Sequence, residues 1–312
     1  TGAGAKEGDF SKVKVVSNRA VPQPGHGQVL IRVEASSVNP VDYKLLSQPF
    51  FRVFSLSPKV LGFDVAGTVV EVGSGCTRLK LGDAVWADLG QSGAFHHLIQ
   101  LGAWAEYAVA DESQVGLKPK SFSASEAAAL PLVGLTDLQA LRMAGAPWPE
   151  RRNFTVAITS GSGGTGTPAI QMAKAWGASR IVTAASASHA ALLKSLGATD
   201  VVDYHDSSLW DFLGNDSVDI VYDNYGAPGT ADAAMAAIRS GGVFIYLPGK
   251  GGDVSKNPKP GVRQINFGLC DSSKHEDLDA LRTLADAGNL TSVVQQSLPL
   301  EEIVQALSIV LA

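Results

Sequence analysis

From Gln28 to Val38 the chain reads QVLIRVEASSV, apolar and polar side chains alternating with the period of a half-buried strand. The β-rich runs VAGTVVEVG (65–73), LGDAVWADLG (81–90) and WAEYAVA (104–110) follow, separated by turn material such as PQPGHG and GSG. Short strands with Gly and Pro punctuation predict a barrel-like β domain. Near residue 123 the pattern changes to the helical spacing of SASEAAALPLVGLTDLQALRMAG, opened by Ser123 and Glu126 in capping-box positions. From residue 153 the strands FTVAIT, RIVTAA, DVVDY, DIVYDN, GVFIYL and RQINFG alternate with helices centred on 166–176, 189–196, 207–213 and 231–239. That alternation predicts a parallel, doubly wound α/β sheet. A helix (276–287), a β-like SVVQQSLPL and a helix (300–311) close the chain. The expected organisation is a β-rich domain over 1–125, with 290–312 returning to it, and an α/β domain over 126–289.

Composition narrows the function. The 312 residues are 45% hydrophobic and 18% charged, with net charge −5, ordinary for a globular protein. The negative balance gives a nucleic-acid or anionic-membrane role no electrostatic support. Cys76 and Cys270 lie far apart, outside any Cys/His cluster, and read as thiols rather than as a zinc site. No apolar run reaches the roughly 20 residues that span a bilayer.

The chemistry concentrates in AITSGSGGTGTPAIQMAKAWGA (157–178). Gly161, Gly163 and Gly166 have the G-x-G-x-x-G spacing, and the loop follows a strand and opens a helix. Gly161 suits a tight turn, Gly163 a close approach to a pyrophosphate, and Gly166 close helix–strand packing; Gly164 and Thr165 complete the loop. The helix N-terminus offers unpaired amides to phosphates. NAD-selective sites carry an acid about 20 residues further on. Here that region, TAASASHAAL, has none, while Ser186, Ser188 and His189 can donate to a 2′-phosphate, so NADPH is the expected cofactor.

The motifs SSVNPVDYK (36–44), LGFDVAGTVVEVGSG (61–75), GDAVWA (82–87), WAEYAV (104–109), AAALPLVGLTDLQAL (127–141), the glycine loop and KSLGATDVVDY (194–204) run in order. Together they resemble the zinc-independent quinone oxidoreductases of the medium-chain dehydrogenase/reductase superfamily, and their organellar branch in particular. The resemblance implies a GroES-like catalytic domain, a Rossmann domain, an active-site cleft between them, and hydride transfer from NADPH to a quinone or an activated alkene (enone or enal). It implies a homodimer through about residues 262–270, or docking in a larger complex, and a chloroplast or mitochondrion as compartment. The alternative is a non-enzymatic subunit or assembly factor that keeps the fold and its nucleotide. Zinc-dependent relatives carry Gly-His-Glu where this chain has Gly62-Phe63-Asp64, so no metal is expected.

By the same resemblance Asn39 and Tyr43 are the catalytic candidates, donating to the acceptor or carboxamide. Thr136 falls to the nicotinamide half of the cofactor and Tyr204 to the adenosine phosphate. Asn224, Leu247 and Gly249 follow the fourth and fifth Rossmann strands and belong to the nicotinamide pocket by the crevice rule. Plainer readings stand beside these: Asn39 before Pro40 is also a turn residue, and Tyr43 also suits packing. Asp64 reads as an organiser of the local fold. Phe50, Phe51 and Phe54 suit an apolar acceptor wall, and His96 and His97 a solvated loop. Relatives begin and end with strands not evident in TGAGAKEGDF or IVQALSIVLA, which leads to the expectation of exposed sheet edges.

Overall fold

The computed structural model describes residues 9–47, 60–90, 102–148 and 154–311. Phe50, Phe51, Phe54, His96 and His97 lie outside the described residues. The chain forms two compact units. The first holds Thr1–Leu132, Asp271–Asp286 and Ser292–Ala312; the second holds Val133–Cys270 and Ala287–Thr291. These limits depart from the ranges 1–125 and 126–289 chiefly in the segment Asp271–Asp286. The helix His275–Asp286 buries Leu278, Leu281 and Ala285 on one face. It rests on the strand Val115–Leu117, where a Cβ on Gly116 would come within 2.8 Å of Leu278 Cβ. The missing side chain at Gly116 is what admits the helix.

In the first unit five strands, β1 (Gln28–Ser36), β2 (Asp64–Val72), β3 (Ala84–Asp88), β4 (Tyr107–Asp111) and β5 (Val115–Leu117), form one sheet in the order β4-β1-β2-β3-β5. Every pairing is antiparallel. The alternation read from the sequence turns Val29, Ile31, Val65, Val69, Val85, Ala87, Ala108 and Ala110 into one core. The helical stretch after residue 123 is two helices, Ala124–Ala128 and Pro131–Met143. The first has the capping box of Ser123 and Glu126. The second opens at Pro131, whose ring disfavours a helical conformation at Leu130 and fits a first helical turn. The expected β-like segment SVVQQSLPL is not a strand; Val293 and Val294 are exposed. Valine favours a pleated, half-buried surface, and no described strand lies across from this one to supply it.

Four motifs of the first unit meet at Asp64, which is fully buried. Its Oδ2 accepts from Ser37 Oγ and from Asn39 Nδ2, each at 2.7 Å. Its Oδ1 accepts from the Leu132 amide at 2.8 Å. Trp104 closes the site: its indole N–H donates to Ser37 O at 2.8 Å, and a Cβ on Gly62 (φ 92°) would fall 2.3 Å from its Cδ1. Two more buried carboxyls stand near. Asp88 pairs with Asp64 across β2 and β3, and Asp42 accepts the Asn39 amide at 2.7 Å.

Burial pushes the Asp42 carboxyl up to about 7, its neighbour Asp88 adding to the effect. Burial, then Asp88, also holds Asp64 well above its usual range. The folded chain therefore binds more protons than the unfolded chain between about pH 4 and pH 7, and stability falls as pH rises through that window. Carboxyls held low by hydrogen bonds, such as Glu126 and Asp271, titrate below it. Urea melts should show the midpoint dropping from about pH 5 to about pH 7.5, and Asp42→Asn, which still accepts the Asn39 amide, should flatten that slope. A wild-type midpoint that holds or rises across the window contradicts the raised proton affinity of Asp42 and Asp64.

Candidate functional site

The second unit carries six parallel strands: β6 (Thr155–Ile158), β7 (Arg180–Ala185), β8 (Asp200–Asp203), β9 (Val218–Asp223), β10 (Ile238–Tyr246) and β11 (Arg263–Asn266). Their order is β11-β10-β9-β6-β7-β8. The chain winds outward from β6 through β7 and β8, then returns to β9 on the other side. The switch point is thus between β6 and β9, where connections diverge and open sheets bind their ligands. The glycine loop follows β6, and Asn224 follows β9.

Asn224 joins the two. Its Oδ1 accepts the Ser160 amide at 2.9 Å, and its Nδ2 donates to Ser160 O at 2.9 Å and to Thr165 Oγ1 at 3.2 Å. Asp223, not singled out in the sequence, does similar work: its Oδ1 accepts from Thr159 Oγ1 and from the Gly226 amide, each at 2.9 Å. Its Oδ2 is buried with no partner among the described residues, and burial raises its proton affinity.

The loop glycines divide by what a side chain would meet. At Gly166 a Cβ would lie 2.0 Å from Ser160 O, and at Gly161 2.4 Å from Thr183 Oγ1. Gly166 has the packing role expected of it. Gly161 owes its identity to the neighbouring strand β7 rather than to a left-handed turn, since it is absent from the positive-φ glycines. Gly163 and Gly164 differ: the nearest atoms to a Cβ are Ser160 Oγ at 3.3 Å and Val133 Cγ1 at 3.5 Å. The chain's own packing leaves room there. Both open onto the N-terminus of the helix Gly166–Ala175, a cradle suited to a pyrophosphate.

Beyond β10, Leu247 is buried and Gly249 is pressed on the loop after β9; a Cβ on Gly249 would come 2.1 Å from Tyr225 O. Thr136 is buried in the helix Pro131–Met143. Next to it, Asp137 Oδ1 accepts from Tyr222 Oη at 2.5 Å. Burial raises the proton affinity of both groups.

A second cluster sits at the ends of β7 and β8. Ser186 Oγ lies 2.8 Å from His189 Nδ1 and 3.0 Å from Ser188 Oγ. Tyr204 is exposed and its ring stacks on His205 with centroids 4.3 Å apart. The segment 183–192 has no acid of its own, but Asp203 from β8 reaches it, accepting the Ala187 amide at 2.9 Å. Neighbouring strand ends meet in space, a proximity invisible to a scan along one segment. Both Asp203 oxygens are engaged, Oδ1 by His205 Nδ1 at 2.8 Å, and these bonds hold its carboxyl below the usual range.

The catalytic candidates lie in the first unit. Asn39 Nδ2 donates to Ser37 Oγ at 2.9 Å and to Asp64 at 2.7 Å, so both of its amide hydrogens point into the fold. Tyr43 is buried, edge-on to Phe10 at 6.3 Å and packed with Ile303 and Leu307. The structure thus gathers the glycine loop, Asn224, Leu247 and Gly249 at one crevice, and Ser186, Ser188, His189 and Tyr204 at adjoining strand ends.

The chain matches the alcohol dehydrogenase GroES-like domain over residues 25–120 and the zinc-binding dehydrogenase family over 164–287. Zinc does not fit the donors present: Phe63 stands between Gly62 and Asp64, and among the described residues no three His, Cys, Asp or Glu could hold a metal ion. The chain is 35% identical over 304 residues to 2-methylene-furan-3-one reductase of Solanum lycopersicum, covering 96% of this chain and 73% of that one. It is 37% identical over 247 residues to the chloroplastic NADPH-dependent alkenal/one oxidoreductase of Arabidopsis thaliana, covering 78% of this chain and 60% of that one. The quinone oxidoreductase of Coxiella burnetii superposes with a TM-score of 0.77 at 29% identity, over 93% of this chain and 89% of that one. Fold, motifs and relatives agree: the chain belongs to the medium-chain dehydrogenase/reductase superfamily, in its zinc-independent, quinone-oxidoreductase-like branch.

Proposed function

We propose that this chain is an NADPH-dependent oxidoreductase that reduces a quinone or the activated double bond of an enone or enal without a metal. The observation that carries the reading is the glycine loop at the switch point, pinned by Asn224 and open-sided at Gly163 and Gly164. The reductase activities named for the Solanum lycopersicum and Arabidopsis thaliana relatives support it. When bound, NADPH supplies the hydride. The loop amides and the helix N-terminus hold the pyrophosphate, and Ser186, Ser188, His189 and Tyr204 take the adenosine 2′-phosphate. Thr136, Leu247 and Gly249 serve the nicotinamide half, and Asn224 keeps the loop in shape. An acceptor that is already electrophilic needs only hydrogen-bond donors for the charge arriving on its oxygen, not a Lewis acid. Asn39 and Tyr43 act as positioning residues of the first unit, Asn39 through Asp64 and Tyr43 through its apolar cluster.

The reading extends to assembly and compartment. The edge strand β11 and the exposed Leu269 suit a homodimer through about residues 262–270. The chloroplastic and mitochondrial relatives favour an organelle. No helix among the described residues is long and apolar enough to cross a membrane.

Two glycine substitutions separate binding from folding. Gly163→Val should weaken NADPH binding at least about tenfold, equivalent to about 1.4 kcal/mol, with little loss of thermal stability. Gly166→Ala should instead destabilise the fold by about 1–3 kcal/mol, because its methyl meets Ser160 O. Titration of cofactor fluorescence and thermal melts measure the two effects; full NADPH affinity in Gly163→Val rules out the loop as the pyrophosphate site.

Ser186→Asp tests the other end. A carboxylate a few ångströms from the 2′-phosphate, at an effective dielectric of about 20, repels it by a few kcal/mol before screening. NADPH affinity should drop at least about tenfold while NADH affinity holds or rises. A parent protein that prefers NADH would remove the basis for assigning this segment to the phosphate.

A further inference from the structure

Two imidazoles stand at the ends of neighbouring parallel strands, and only one of them, His189, belongs to the segment after β7 that the cofactor assignment uses. His205 follows β8. Its Nδ1 is tied to Asp203 Oδ1 at 2.8 Å, and its own amide donates to the same oxygen at 2.9 Å. Its ring lies against Tyr204. Its Nε2 has no partner among the described residues, and its side chain is 63% exposed. The other Asp203 oxygen takes the Ala187 amide, in the middle of the segment that holds Ser186, Ser188 and His189. One carboxylate thus fastens the His205 ring and the serine-rich segment together. His189 is built the same way, with Nδ1 held by Ser186 Oγ at 2.8 Å and Nε2 without a partner among the described residues.

We propose that His205 is a further ligand of the adenosine 2′-phosphate, acting through Nε2–H as an imidazolium, so that NADPH binding, unlike NADH binding, takes up a proton as pH rises past neutrality. This rests on the NADPH reading above. The chemistry follows from the tautomer. With Nδ1–H donated to Asp203, a neutral His205 presents a lone pair at Nε2, which repels a phosphate oxygen. Protonation converts it to a donor, whose hydrogen bond an incoming phosphate oxygen can accept. The charged or titratable groups about His205 are Asp203 beneath it, Tyr204 against its face, Asp206 one residue on, and His189 across the Ala187 bridge. A phosphate monoester also titrates near pH 6, so the slope must be assigned by substitution.

The test is fluorescence titration of NADPH and of NADH, without acceptor, from about pH 6.5 to about pH 8.5. The wild-type chain should lose NADPH affinity as pH rises, with NADH affinity level. His205→Ala should bind NADPH several-fold more weakly at about pH 6.5, with a shallower slope and unchanged NADH affinity. His205→Lys should restore NADPH affinity and keep it at about pH 8.5. His205→Ala with wild-type NADPH affinity and slope overturns the proposal. So does an equal loss of NADPH and NADH affinity, which would mark His205 as support for the turn alone. If Ser186→Asp leaves the preference between NADPH and NADH unmoved, the 2′-phosphate site itself has been misplaced, a failure distinct from that of His205.

Discussion

A parallel sheet runs out of backbone partners where a strand ends, and in the second unit that problem is sharpest after β6. There the chain must leave the centre of the sheet, turn through a glycine loop and start a helix. The peptide at Ser160 has no strand to pair with, and the side-chain amide of Asn224 takes its place with one bond in each direction. Thr159 and Asp223 close the turn from the adjacent side. A buried peptide group without a partner costs about 1–3 kcal/mol, so these side chains decide which loop conformation is kept. The loop is then held from β9, and the loop amides stay available to a ligand. The crevice is shaped by the same bonds that let the chain turn.

The first unit meets a related constraint with a different group. Asp64 lies at the start of β2 with no cation beside it among the bonds that hold it, and is satisfied by a hydroxyl, an amide side chain and the Leu132 backbone amide. The most distant of those donors lies 68 residues along the chain from Asp64. A neutral apolar residue at 64 would leave each donor unpaired, which explains why an acid is kept where burial penalises its charge. Burial raises the proton affinity of Asp42 and Asp64 and so ties the unit's stability to pH.

Much of this was legible in the chain itself. Period-two alternation marked β1, and the alternation of apolar runs with helical stretches marked β6 to β11 within a few residues. The capping box at Ser123 and Glu126 formed as written. What escaped were relations between segments. Gly161 is small because Thr183 on the next strand leaves it no room, which no local turn rule contains. The helix His275–Asp286 joins the first unit through the vacancy at Gly116, about 160 residues earlier. Asp203 reaches the Ser186–His189 segment only because β7 and β8 pair in parallel. SVVQQSLPL had the composition of a strand but no described neighbour to pair with.

The same distinction separates the two ends of the candidate cofactor site. At the proposed pyrophosphate site the Ser160, Gly161 and Gly166 amides are engaged by the fold, so the amides between them are held in a geometry prepared in advance, and substitutions there trade folding against binding. At the ends of β7 and β8 the groups are exposed and bonded mainly to one another: serine to histidine, histidine to aspartate. Such a cluster contributes little to folding, because exposed hydrogen bonds and ion pairs are screened by water. It can therefore change with little effect on the sheet beneath it. On the proposed reading, preference between phosphorylated and unphosphorylated dinucleotides is set at the end of the site where the chain is most free to vary, and the common grip on both is set where it is least free.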